Sequence, residues 1–228
     1  MQFDRIQMTT KKRQPIVIAI DGPSASGKST NARMVAKILN YLHVDTGAMY
    51  RTLGWYCLKN GIDVNDSLAV TKACRRWKAT LQSSEGQVRL VVDGYYPAQE
   101  IRTSEVSAAV VHVAAVPKVR EWMKRIQREC AQFGDLVMEG RDIGTNIFPE
   151  SDFKYYLDAK IEERTRRRAA EGVTENLEAR DRRDSQRATS PLMIALGARV
   201  INNSEMTAEQ TSRLIIEDIE ARLKLPRP

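Results

Sequence analysis

Histidine is almost missing from this chain: His43 and His112 are the only two in 228 residues. A nucleophile system built on an imidazole base has little material here. His43 closes a short apolar run and His112 lies in an apolar stretch, so both read as structural residues. Cysteine is scarce too. Cys57, Cys74 and Cys130 are odd in number, far apart, and form no C-x-x-C. That argues against a disulfide framework or a zinc site, and for reduced, buried thiols in a cytoplasmic protein. No run of 18 apolar residues exists, so no membrane span is expected. Residues 1–14 are polar, carry Lys11-Lys12-Arg13 and lack the apolar centre of a signal peptide; they read as a loose basic tail. Aromatic residues make up only 6%, and none interleaves with the arginine-rich stretches. Stacking platforms for single-stranded nucleic acid are therefore lacking, and no stable nucleic-acid partner is expected. The net charge of +7 nevertheless asks for an anionic partner.

What the chain does contain is Gly22-Pro23-Ser24-Ala25-Ser26-Gly27-Lys28-Ser29, which fits G-x-x-x-x-G-K-[ST]. Two glycines let such a loop wrap with its N–H groups inward, a nest for anionic oxygens. Lys28 can reach the β- and γ-phosphates, and Ser29 can offer its hydroxyl to Mg²⁺. Before the loop, Ile16-Val17-Ile18-Ala19-Ile20 reads as a buried parallel strand. After it, Thr30 to Tyr41 reads as a helix with Val35, Ile38, Leu39 and Leu42 on one face. The loop thus joins a strand to a helix N-terminus, where an anion is favoured. The phosphate-binding set is Gly22, Ser24, Ala25, Ser26, Gly27, Lys28, Ser29 and Thr30, with Ser29 at the metal.

Further strands are expected at Leu42-His43-Val44-Asp45, Leu136-Val137-Met138-Glu139, Phe153 to Asp158 and Ala198 to Asn202. Helices are expected from Thr46 to about Asn60, Asp63 to Ala79, Ser104 to Ala115, from Pro117 onward, Glu162 to Glu171, and from a Thr207 cap. Val88 to Val92 with the Asp93-Gly94 turn reads as a hairpin, out of place in a βαβ core and so part of an inserted lobe. Gly140-Arg141-Asp142-Ile143-Gly144-Thr145 follows a core strand, where open α/β sheets bind ligands. From Arg164 to Arg187 the cations are all arginine, with no lysine. Guanidinium forks suit bidentate phosphate contact.

Together these blocks resemble the bacterial cytidylate kinases, a nucleoside monophosphate kinase family. The resemblance rests on Ile20 to Ser24 with Lys28-Ser29, Asp45-Thr46-Gly47-Ala48-Met49-Tyr50-Arg51, Ile101-Arg102-Thr103, Val116 to Arg120, Gly140 to Thr145, and Arg180-Asp181-Arg182-Arg183-Asp184. It implies an α/β P-loop NTPase fold with a five-stranded parallel sheet flanked by helices. It also implies three parts: a core (residues 15–45, 119–157 and 191–228), a monophosphate-binding insert (46–118) and a helical lid (158–190). Thr46, Tyr50 and Arg51 resemble acceptor-binding positions. Arg51, Arg102 and Arg141 resemble the holders of the acceptor phosphate, and Arg120 with Asp142 the pair that reads the cytosine edge. Asp184 resembles the ribose partner, helped by Arg180 and Arg187. Lys28 and the lid arginines Arg167, Arg168 and Arg183 resemble the groups that neutralise the transferring phosphoryl. Thr46 stands where serine is common. Val111 stands where some members carry a serine near the base, leaving Ser107 or His112 as substitutes. No separate Walker-B run ending in Asp is present, and Asp21 is the candidate outer partner of the metal. The implied reaction is phosphoryl transfer from Mg²⁺-ATP to CMP or dCMP by a monomer. The alternatives are a kinase for another acceptor such as UMP, a nucleic-acid-binding P-loop protein, and a nucleotide-binding regulator without turnover.

Overall fold

The computed structural model describes residues 13–172, 176–187 and 189–224. Most of the basic tail, the Pro226-Arg227-Pro228 end, and Val173, Thr174 and Glu175 between the two arginine groups lie outside the described residues. β1 (Val17–Asp21) is buried at every residue, as a β-branched run covered on both faces should be. It pairs in parallel with β5 (Leu136–Gly140) and β6 (Phe153–Asp158). β2 (Leu42–Asp45) adds in parallel outside β5, and β7 (Arg199–Asn202) outside β6. These are the five parallel strands expected.

Two further strands extend the sheet. β3 (Ala79–Ser84) and β4 (Gln87–Val92) form an antiparallel hairpin, giving the order β3-β4-β2-β5-β1-β6-β7. The hairpin turn is not at Asp93-Gly94. It is the two-residue Glu85-Gly86, with φ 52° and 70°, which matches the twist of the strands it joins. Asp93-Gly94 makes a second tight turn that brings Tyr95 back to pair with Val92. The hairpin sits beside β2, where His43 N donates to Gly86 O at 2.9 Å.

Alternation along β1 divides the interior. Val17 and Ala19 enter a core closed by α2 (Thr46–Lys59), α3 (Ser67–Arg76), α5 (Pro117–Glu129) and the hairpin's Val88, Leu90 and Val92. Ile16, Ile18 and Ile20 enter a second, closed by α1 (Lys28–Leu39) and α8 (Ala208–Lys224). On α1 the inward stripe is Asn31, Ala32, Val35 and Ala36, at helical spacing; Ile38 falls off that stripe and is 60% exposed, contrary to expectation. Leu42 belongs to β2 instead. α1 stops where Asn40 turns left-handed (φ 55°). α3 is shorter than the sequence suggests: the Asp66 side chain caps Leu68 N and Ala69 N, and Trp77 is already extended. Thr103 caps α4 (Ser104–Val113), and Thr207 and Gln210 cap α8 reciprocally. Cys57, Cys74 and Cys130 are free and buried, and burial pushes their thiols up to about 11, 12 and 12.

The strand ends are level: Asp21 is in register with Gly140, and Glu139 with Asp45. Chain order reverses across β1 and β5, so their carboxyl ends open the crevice where such sheets place ligands. Asp21 shapes this rim. Its two carboxylate oxygens accept from Ile143 N and Gly144 N, both at 2.8 Å, and so start the single π-helical turn Ile143–Ile147. Burial pushes its carboxyl up to about 6, against the lowering pull of those two N–H groups. A carboxyl raised on folding favours the fold below its ordinary 3.8, and that contribution is lost as pH rises through 6. The shift corresponds to about 3 kcal/mol. Wild type should therefore lose up to about 3 kcal/mol relative to an Asp21→Asn variant between acid and neutral pH. Urea unfolding of both proteins at about pH 4 and about pH 7 measures that difference.

Candidate active site

Between β1 and α1 the chain makes the phosphate loop. Gly22 (φ 151°) passes so near β6 that a Cβ would lie 2.1 Å from Leu157 O, so only glycine fits. Gly27 (φ 85°) enters α1 from the left-handed region. The loop's carbonyls are engaged by side chains. Gly22 O accepts from Arg141 Nη1 (2.7 Å), Ser24 O from Arg164 Nη1 (3.1 Å), Ser26 O from Asn203 Nδ2 (2.9 Å) and Gly27 O from Asn31 Nδ2 (2.8 Å). Pro23 O accepts from the loop's own Lys28 Nζ at 2.5 Å. In a trans peptide the following N–H points away from its carbonyl, except after Gly22, where Pro23 has no N–H to offer. The N–H groups of Ala25, Gly27 and Lys28 are thus turned away from the held carbonyls, at the positive end of α1. Lys28 is buried, and burial first, then Arg141, pulls its pKa well below the ordinary value. An anion in the loop would stabilise the ammonium. Thr30 is exposed at the first turn of α1.

Two helices sit over the loop: α6 (Ile161–Ala170) and α7 (Leu177–Ser185). Asp181 of α7 accepts from Ser24 N at 2.9 Å and pairs with Arg164 of α6. Arg167 donates from Nε to Glu163 (2.8 Å) and from its fork to Asn203. Arg168 pairs with Glu171 at 2.8 Å. Arg183 is exposed, its Nε donating to Ala179 O at 3.2 Å, and Arg180 is half-buried one helical turn before Asp184.

At the end of β5, Ser29 Oγ donates to Glu139 Oε2 at 2.8 Å. The other oxygen, Oε1, is buried without a hydrogen bond, 3.4 Å from His43 Nε2. A hydroxyl beside a carboxylate with an oxygen to spare fits a hard divalent cation. Asp21, the candidate outer partner, uses each carboxylate oxygen to accept one N–H of the π-helical turn. Among the described residues no cluster of three or more His, Cys, Asp or Glu could hold a metal alone, so such an ion would need oxygens from a ligand.

Arg141 crosses the crevice. Besides Gly22 O it holds Asp184 Oδ2 at 2.7 Å from Nε, while Arg187 takes the other Asp184 oxygen. Burial pushes the Asp184 carboxyl up, but Arg141 and Arg187 outweigh it and hold it below the ordinary value. On the α5 side, Arg120 Nη2 donates to Asp142 Oδ2 at 3.0 Å, both side chains buried. Arg120 Nε has no hydrogen-bond partner. The Tyr50 ring lies 5.5 Å from the guanidinium. Burial pushes the Tyr50 hydroxyl up to about 12, so it stays a donor. Asn146 also donates to Asp142, at 3.1 Å. Nearer β2, Arg51 pairs with Asp45 at 2.8 Å, and Arg102 is exposed on a short turn before α4. Thr46 spends its hydroxyl on Glu139 O at 2.7 Å.

The cytidylate kinase family profile matches residues 18–221. The chain belongs to the cytidylate kinase family. It is 40% identical over 216 residues to a cytidylate kinase of Pelotomaculum thermopropionicum, covering 90% of this chain and 96% of that one. It is 40% identical over 219 residues to one from Geobacillus thermodenitrificans, covering 91% and 98%. A bifunctional pantoate ligase/cytidylate kinase of Synechococcus is 40% identical over 222 residues, which cover 91% of this chain and 41% of the longer protein.

Several residues that build this cytidylate kinase site were not among those singled out from sequence. Glu139 had a signal, an acid closing an apolar strand. Arg164 belonged to the arginine-rich group, though not to the residues given a role; Asn31, Asn146 and Asn203 had no signal, because a polar residue's distant partner is not written in its neighbours. Of the substitutes considered for the serine replaced by Val111, Ser107 donates its hydroxyl to Thr103 O within α4, and His112 is exposed. The Arg164–Asp181 pair gives a direct test of how the lid helices are tied to the loop. Arg164→Ala strands a poorly solvated carboxylate, and we expect it to lower stability by about 3 kcal/mol. The Arg164→Ala/Asp181→Ala double variant should lose less than the single one when both are unfolded in urea.

Proposed function

We propose that this protein transfers the γ-phosphoryl group of ATP to the phosphate of CMP or dCMP, giving CDP or dCDP and ADP. The observation that carries the reading is the buried Arg120–Asp142 pair, set across Arg141 from the phosphate loop. A carboxylate complements the cytosine N4 amino donor, and a guanidinium complements N3 and O2. Family membership supports the same chemistry.

In this reading residues 15–45, 119–157 and 191–228 form the core, 46–118 the acceptor insert and 158–190 the lid. The loop residues Gly22, Ser24, Ala25, Ser26, Gly27, Lys28, Ser29 and Thr30 hold the ATP phosphates. Ser29 and Glu139 would hold Mg²⁺, which when bound neutralises phosphate charge and fixes the phosphate oxygens. Thr46, Tyr50, Arg51 and Arg102 receive the acceptor, and Arg141 bridges acceptor and loop. Arg180, Asp184 and Arg187 bind the acceptor's ribose side. The acceptor phosphate oxygen is already ionised, so it attacks the γ-phosphorus without a general base while the bond to the β-phosphate oxygen breaks. Catalysis is then positioning and charge stabilisation. Lys28, Arg167, Arg168 and Arg183 supply positive charge around the transferring group. Closure of the lid excludes water and favours CMP over hydrolysis. The protein works as a cytoplasmic monomer with no stable nucleic-acid or membrane partner. Among the described residues no helix is long and apolar enough to cross a membrane.

A coupled ADP-release assay with Mg²⁺-ATP and CMP, dCMP, UMP, AMP or no acceptor tests the proposal. Turnover should appear mainly with CMP and dCMP; turnover indifferent to the acceptor would overturn it. Asp142→Ala removes a charged acceptor from the base site. It should lower kcat/KM for CMP about 10- to 100-fold and UMP far less. Retention of full CMP preference in that variant would remove Asp142 from the base-reading role.

A further inference from the structure

Asn203 follows β7 directly and is only 2% exposed. Its polar groups are spent on two elements of the ATP side. The side-chain nitrogen donates to Ser26 O at 2.9 Å. The side-chain oxygen accepts from Arg167 Nη1 at 3.1 Å, and the backbone carbonyl accepts from Arg167 Nη2 at 2.9 Å. Its backbone N–H donates to Asp158 O at 2.9 Å, which fixes it to the end of β6. Only one amide orientation satisfies both neighbours, because a carbonyl can only accept and a guanidinium can only donate.

We propose that Asn203 is a positioning residue for ATP, acting through the Ser26–Gly27 peptide and through Arg167. The inference rests on the reading of the loop as the ATP phosphate site. Glycine tolerates φ of either sign, so the peptide preceding Gly27 is the one in the loop most free to flip. A flip would turn the Ser26 carbonyl toward the phosphates and remove the Gly27 N–H from them. The bond from Asn203 holds that carbonyl outward. The same amide fixes the Arg167 fork beside the loop: a Cβ on Gly27 would lie 3.5 Å from Asn203 Nδ2 and 3.6 Å from Arg167 Nη1. One buried amide therefore sets both a phosphate-facing N–H and a lid guanidinium. No other side chain is seen to donate to Ser26 O among the described residues.

Two variants separate the two actions. Asn203→Ala loses both side-chain bonds. Asn203→Asp keeps an oxygen for Arg167 and sets a second oxygen against Ser26 O. Both should raise KM for ATP about tenfold, the scale of one buried hydrogen bond, with KM for CMP within about twofold of wild type. Asn203→Asp should retain more kcat than Asn203→Ala, since Arg167 keeps its acceptor. Calorimetric binding of Mg²⁺-ADP, which needs no turnover, should weaken by the same factor as KM for ATP. Unchanged ADP affinity in a folded variant overturns the proposal, and so does an equal rise in the two KM values. Failure of both variants to fold makes Asn203 merely structural and also ends it. Wild-type turnover indifferent to CMP would sink the functional reading while leaving the ADP-binding comparison intact.

Discussion

A phosphate loop works only if its carbonyls are kept off the anion. Backbone N–H and C=O groups alternate, and a short flexible loop has no ladder to decide which set faces inward. Here the decision is made by side chains from elsewhere in the chain. Arg141 at the end of β5, Arg164 on α6, Asn203 after β7 and Asn31 on α1 each take one loop carbonyl. Remove these and the loop is a glycine-rich turn. With them it is a preorganised anion site, whose orientation is settled before any ligand arrives.

The sheet exists, in this sense, to bring those four groups together. β1 and β5 end level, β6 and β7 run two residues further, and the residues just past these ends supply the loop and part of its outer ring. The apolar alternation of β1 fixes which helices lie on which face. α1 must be on the face of Ile18 and Ile20, and there Ser212 of α8 donates to Asn31 Oδ1 at 2.9 Å. That bond leaves the Asn31 amide nitrogen aimed at Gly27 O. Core packing thus reaches the site through named side chains.

Local patterns were legible from sequence wherever a residue's role depends on its neighbours. The five core strands, the P-loop and the Thr207 cap are of that kind. The hairpin turn was misplaced because Glu85-Gly86 and Asp93-Gly94 are both acid-glycine pairs with positive φ, and only strand pairing distinguishes them. Ile38 looked like a core residue because it is apolar, yet the stripe on α1 runs through Asn31 instead. Of the candidate site, the ion pairs Arg120–Asp142 and Arg141–Asp184 unite residues already singled out by their blocks. The asparagines did not stand out, since their function is a hydrogen bond to a carbonyl far away in sequence, and no periodicity encodes that.

One amide of the loop is already taken. Ser24 N donates to the Asp181 carboxylate, which Arg164 steadies from the far side. An anion that claims this N–H does not fill an empty position; it takes the place of a tethered one. Binding there is an exchange of one negatively charged acceptor for another, and the free energy gained is the difference between them. The displaced carboxylate stays close by on α7, at an effective concentration that no free competitor could match. A ligand that reaches for the Ser24 N–H would thus compete with the protein itself for that one contact.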